Sequence, residues 1–173
     1  MDNTLNNDWD LDKFDPAAAS TRVRRFHLCA LRDRLANGDV VDPPPLMNHW
    51  ALSLETSLRS SVMFDLVFGH GGDKEELRGK IEVTSLSERY ARETLRLFSF
   101  EPMGEVQVGR VMALMQGKDF AFSHELEARR HWLSELMGDL EAASCIPQGG
   151  AVVAREALSK YWGEPEGPEL KQV

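Results

Sequence analysis

The chain is poor in several things. It has two cysteines in 173 residues, which give neither a disulfide framework nor metal-ligand spacing and point to a reducing compartment. It has no apolar run near the roughly 18 residues a membrane helix needs; the longest, Val111–Met115 and Ser61–Phe64, are a fraction of that. The opening MDNTLNNDWDLDKFD is acidic and polar, without the apolar core of a secretory leader. There is no basic excess: 20 Lys and Arg stand against 28 Asp and Glu, a net charge of -8. A nucleic-acid binder would carry a basic face, and the one cluster here, Arg22, Arg24 and Arg25, is too small. Internal repeats and low-complexity tracts are missing as well. These absences exclude a membrane protein, a nucleic-acid binder, a coiled-coil rod and a repeat array, and favour a cytoplasmic protein.

What is present suits one globular domain. Hydrophobic residues make up 42% and charged residues 28%, ordinary values for a soluble fold. A chain of this length buries roughly 70% of its unfolded surface without disulfides or metal. The acidity is concentrated at the ends: residues 1–15 carry five Asp and one Lys, and residues 163–173 three Glu and one Lys. The reading is therefore a mobile acidic tail over 1–20, a single domain over 21–163, and a C-terminal tail over 164–173.

Alternation and periodicity set the elements. From Thr21, VRRFHLCAL reads as a strand, with Phe26, Leu28 and Ala30 on one side and Val23, His27, Cys29 and Leu31 on the other. Asn37-Gly38-Asp39 and the Pro43-Pro44-Pro45 triplet form a stiff connector. Asn48–Glu55 and Ser61–Phe68 read as a hairpin turning near Thr56–Ser60. Trp50, Leu52, Leu54, Val62, Phe64, Leu66 and Phe68 share its core face, and His49, Ala51, Ser53, Glu55, Met63, Asp65 and Val67 share the other. Lys80–Leu86 is a third meander strand, with Ile81 and Val83 inward. Over 87–100, Ser85-x-x-Glu88 could cap a helix, while the alternation of Thr94, Arg96, Phe98 and Phe100 favours a strand at the C-terminal end. Helices follow at Glu105–Gln116, stopped by Gly117, at His124–Ala143 with Ser123 as N-cap, and at Ala151–Trp162, with a short strand at Asp119–Phe122. The fold class is α+β, an antiparallel meander packed against about three helices.

Few residues carry chemistry. His49 opens a strand, and histidine exchanges protons near neutral pH. Asp65 falls on the same face, opposite or diagonal to it, as the orienter of a base would. The competing reading is a polar sheet face that happens to hold both. His124 and His131 are seven apart on a helix, roughly 10 Å along its axis, too far for one metal ion. The spacing is not that of a zinc protease, and no metal site is expected. Glu127 and Glu135 flank His131 at four residues, as on a solvated helix face. His70-Gly71-Gly72-Asp73 lacks the phosphate-loop pattern and reads as a turn. His27 and Cys29 lie about 7 Å apart at their backbones, so Cys29 reads as structural. No serine sits in a nucleophile elbow.

Two motifs together carry a resemblance. Asn48-His49-Trp50 opens an apolar strand, and Arg130-His131-Trp132 lies on a helix ending Asp139-Leu140-Glu141-Ala142-Ala143. With Lys118–Phe122 before the helix and Tyr161-Trp162-Gly163 after it, the chain resembles, over roughly 21–165, an uncharacterised family of small fungal proteins. That family has an Asn-His-Trp strand and a Cys-Arg-aromatic-Trp helix, and occurs near biosynthetic clusters. A His-Trp strand plus a Cys at a helix start also resembles a permuted papain-like thiol site, here in degenerate form. Arg129 stands where the family's Cys would be, and a guanidinium is no nucleophile but can bind an anion. The resemblance implies a cofactor-independent tailoring enzyme acting on a small metabolite by acid–base assisted cyclisation or isomerisation. His49 would be the acid–base, Asp65 its orienter and Arg129 an anion stabiliser, with Trp50, His131 and Trp132 lining the substrate site. For His49 and Arg129 to meet, the helix after Ser123 must cover the sheet face that His49 occupies. The alternatives are a non-catalytic binding module and, against the loss of the Cys, a thiol hydrolase using Cys29 or Cys145. A homodimer is compatible with the sequence.

Overall fold

The computed structural model describes residues 9–32, 48–68, 77–116, 121–122 and 125–163. The proline connector, the His70–Asp73 turn, Gly117, Ser123, His124 and the 164–173 tail lie outside the described residues. The strands are β1 (Trp9–Lys13), β2 (Arg25–Leu31), β3 (His49–Ser57), β4 (Ser60–Phe68), β5 (Leu77–Leu86), β6 (Thr94–Phe100) and β7 (Ala121–Phe122). The helices are α1 (Val108–Met115), α2 (Glu125–Ala142) and α3 (Gly150–Leu158).

The sheet order is β1-β5-β4-β3-β2-β6, with β7 paired to the start of β5. All neighbours are antiparallel except β1, which runs parallel to β5. The architecture is α+β, as the patterning predicts. The hairpin pairs Leu52 with Phe64, Ser53 with Met63 and Leu54 with Val62, so the expected apolar faces coincide. Trp50, Leu52, Leu54, Phe64, Leu66, Ile81 and Val83 are fully buried on that face. Residues 94–100 are strand, settling the ambiguous segment.

All three helices belong to this apolar layer. Trp132, Leu133, Leu136, Met137 and Leu140 of α2 join Trp50 and Phe64 in one core cluster, with Val108, Val111 and Met115 of α1 and Ala154 and Leu158 of α3. The helix stripe is the expected one, but α2 covers the Trp50 face, not the His49 face. The reason is hydrophobic: the broad apolar stripe of α2 buries more surface against Trp50, Leu52, Leu54, Val62, Phe64 and Leu66 of the hairpin than against a polar face.

The N-terminal tail is a second correction. Trp9–Lys13 is a strand, with Trp9 opposite Ile81 and Asp10 opposite Glu82. Pro16–Ser20 is a 3-10 turn whose start is capped by Asp15, its carboxylate accepting from the Ala17 amide at 3.0 Å. The Asp15 amide donates to Ser85 Oγ at 3.1 Å. Trp9, Phe14 and Ala18 pack on the core. Val23 also joins this core rather than the opposite side, because it precedes β2 and its amide bonds the Val106 carbonyl at 2.7 Å.

The third difference is at the end of α3. The helix stops at Leu158 instead of running to Trp162, and Trp162 folds back onto the sheet. Asn48 Nδ2 donates to the Trp162 carbonyl at 2.7 Å, and the Trp162 amide donates to Asn48 Oδ1 at 2.7 Å. The indole then donates to the Ala157 carbonyl at 2.9 Å and meets the Phe98 ring edge-on.

Candidate functional site

The outer sheet face is chemically mixed. It holds a small apolar cluster of Cys29, Leu31, Ala51 and Leu97, with Met63, Tyr90 and Ala91 packed against it. Beside that cluster lie the polar groups.

His49 and Asp65 form the first polar group. The β2–β3 ladder runs to the pair Leu31–His49, and the β4–β5 ladder runs to Phe68–Gly79. The β3–β4 ladder, in contrast, begins only at Leu52–Phe64. The two strands that carry His49 and Asp65 therefore have no ladder between them at this end, and the side chains span the gap. His49 Nε2 and Asp65 Oδ1 are 2.6 Å apart, with the side chains 16% and 14% exposed. That is a short charge-assisted bond in a shielded but reachable place. With Nε2–H donated to the carboxylate, the lone pair of Nδ1 is the ring's remaining acceptor. Nδ1 makes no hydrogen bond among the described residues.

Arg129 reaches the same strand from the other layer. It is 9% exposed, and its Nε donates to the Leu66 carbonyl at 2.9 Å. Leu66 lies in the stretch of β4 that pairs with β5 but has no β3 ladder, so the guanidinium ties α2 to β4 there. Trp50 and Trp132 are 0% and 1% exposed and belong to the core, which removes them from a substrate-facing wall. His131 is on the solvent side of α2, 3.2 Å from Glu135, lining a cavity with Arg130, Ser134, Arg155, Leu158 and Ser159. The structure thus joins His49 to Asp65 and sends the other four expected residues elsewhere. Cavities at Arg130–Ser159, Thr21–Pro102 and Phe98–Trp162 do not have His49 in their walls.

A second polar group escaped the sequence reading. His27 Nδ1 and Ser99 Oγ are 2.7 Å apart, and His27 Nε2 lies 3.7 Å from Glu55, which in turn pairs with Arg89 at 3.2 Å. Tyr90 meets the His27 ring edge-on at 5.5 Å. His27, Ser99 and Glu55 are all at most 5% exposed. Burial first, then the charges of Arg89 and Arg25, lowers the His27 pKa to about 4. A neutral imidazole sealed under Tyr90 is a core polar network rather than a working base. Alternation puts His27 on one side of its strand and Glu55 on the outer face of the hairpin without placing those strands side by side, and Ser99 falls in the segment of undecided structure, which hid the cluster.

Both cysteines are buried. Burial pushes Cys29 up to about 12, and Cys145 is raised as well. Cys29 lies within β2 and Cys145 follows α2, so neither stands at a helix start where a thiolate would be stabilised. Among the described residues no cluster of three or more His, Cys, Asp or Glu could hold a metal ion. Among the described residues no helix is long and apolar enough to cross a membrane.

Fold and site together define a small α+β domain with a carboxylate-held histidine on the sheet face opposite its described helices. Residues 26–173 match the model of a Domain of unknown function, DUF7770, and the chain belongs to that family. No curated protein and no solved structure matches. The matched region begins inside β2, so β1 and the 3-10 turn precede it.

Proposed function

We propose that the protein is a small cofactor-independent enzyme that moves a proton on a small metabolite, in an isomerisation or cyclisation of fungal secondary metabolism. The observation that carries the reading is the 2.6 Å bond between His49 and Asp65 where β3 and β4 part. In this reading Nδ1 of His49 removes a proton from a carbon acid, Asp65 balances the imidazolium, and the same proton returns at a second position of the substrate. Arg129 acts as a strap on β4 and contributes by holding Asp65 in place. The metabolite and the fungal setting rest on the resemblance carried by Asn48-His49-Trp50 and Arg130-His131-Trp132.

The test is complementation of a producing strain that lacks the gene, read as its metabolite profile. A folded His49→Ala variant should lower turnover by about 10²–10⁴ and leave the precursor to accumulate. A wild-type profile with that variant would end the catalytic reading. The second reading is a binding module, and that outcome would install it.

A further inference from the structure

The groove between α2 and α3 is built differently from either sheet face. A cavity of about 320 Å³ is lined by Arg130, His131, Ser134, Arg155, Leu158 and Ser159. Two guanidiniums and an imidazole face it, and no acid is among its described lining residues. Glu135 sits to one side, paired with His131 at 3.2 Å; the side chain of Glu127 lies outside the described residues.

The donors are held in place. Arg155 Nε donates to Ser134 Oγ at 3.1 Å, which leaves the Ser134 hydroxyl hydrogen free to point at a ligand. The far end of Arg155 lies along α2 at Gly138, where a Cβ would come within 3.3 Å of Nη2. Arg130 Nε is buried and has no hydrogen-bond partner among the described residues. A buried guanidinium nitrogen left unpaired is costly and calls for a partner. Ser159 is no donor here, because its hydroxyl is given to the Glu156 carbonyl at 2.7 Å. Leu158 supplies an apolar wall.

We infer that this groove binds a phosphate monoester, with the phosphoryl group between Arg130 and Arg155 and the organic part against Leu158. Two planar guanidiniums suit a dianion with three terminal oxygens, each able to take a forked pair of N–H bonds. A single carboxylate would leave one of them unmatched. The volume falls in the lower range of small-molecule sites, larger than a bare oxyanion requires. The site is separate from His49: α2 and α3 lie on the apolar side of the sheet.

The experiment titrates the full chain with phenyl phosphate, inorganic phosphate and benzoate at fixed ionic strength, by calorimetry and by the Arg Nε signals in NMR. Phenyl phosphate should bind saturably and perturb Arg130 and Arg155. Inorganic phosphate should bind more weakly, and benzoate at least tenfold more weakly than phenyl phosphate. Arg130→Gln and Arg155→Gln should each weaken phenyl phosphate at least tenfold. The milder Arg130→Lys keeps the charge, loses the fork, and serves if Arg130→Gln does not fold. Arg92→Gln, whose exposed side chain pairs with Glu88, should change nothing. Three results would overturn the inference: no saturable binding, benzoate binding as tightly as phenyl phosphate, or equal weakening by Arg92→Gln.

Discussion

The two faces of the sheet do different work with the same strands. The inner face of the hairpin is a continuous apolar surface, from Trp50 through Leu52 and Leu54 to Phe64 and Leu66, sealed by three helices. The outer face carries a four-residue apolar cluster and, around it, His49–Asp65 and His27–Ser99–Glu55–Arg89. Packing decides the first face and hydrogen bonding the second. Because side chains alternate along a strand, each inner residue that stabilises the fold fixes an outer neighbour that does not have to. Asn48-His49-Trp50 shows this within three residues. Asn48 clasps Trp162, Trp50 fills the core, and His49 turns to Asp65 on the outer face.

The comparison can be broken by mutation, most severely on the inner face. Phe64→Ala should destabilise by about 3–5 kcal/mol through lost transfer energy and the cavity left behind, measured by denaturant unfolding. A loss under about 1 kcal/mol would mean that the inner face is loosely packed.

The outer face should respond to acid instead. His27 has its pKa lowered to about 4 in the folded state, against about 6.5 for the unfolded residue. Between these values the unfolded chain binds the extra proton. The contribution of His27 is therefore complete above about pH 6.5 and is lost as pH falls toward 4, with an upper limit of about 3 kcal/mol. A series of unfolding curves from pH 7 to 4 should show this slope, and His27→Gln should flatten it. An unchanged slope in that variant would assign the acid sensitivity to another group.

A smaller effect tests the edge. Trp9 packs on the core from β1, so Trp9→Ala should lower stability on the order of 1–2 kcal/mol, short of a fully buried side chain. Thermal melts identical to wild type would return residues 9–13 to the status of a tail. The smallest effect is on reactivity: with Cys29 and Cys145 buried and their pKa values raised, neither should react with a thiol reagent faster than the chain unfolds. Fast labelling of either would contradict that burial.

The legible parts of the fold were those with local periodicity. The period of two in Trp50–Leu54 and Val62–Leu66 settled both faces of the hairpin, and the stripe from Trp132 to Leu140 settled the buried side of α2. Strand β1 was hidden because Asp10, Asp12 and Lys13 read as solvent-facing, and because its partner Ile81 lies far along the chain. Alternation also placed His49 and Asp65 on one face. It could not show that the β3–β4 ladder stops at Leu52–Phe64, the feature that lets the two side chains meet. Nor does a helix stripe say which sheet face it will cover, and on that point the expected meeting of Arg129 with His49 failed.

The central claim is that Asp65 fixes His49 with Nδ1 open for proton transfer, and the most direct measurement is side-chain nitrogen NMR of His49. The account predicts that the neutral form of the ring carries its hydrogen at Nε2, with that preference lost in Asp65→Asn while the Phe64 and Trp50 backbone signals stay in place. A His49 protonated at Nδ1, or a tautomer indifferent to Asp65→Asn, would contradict it.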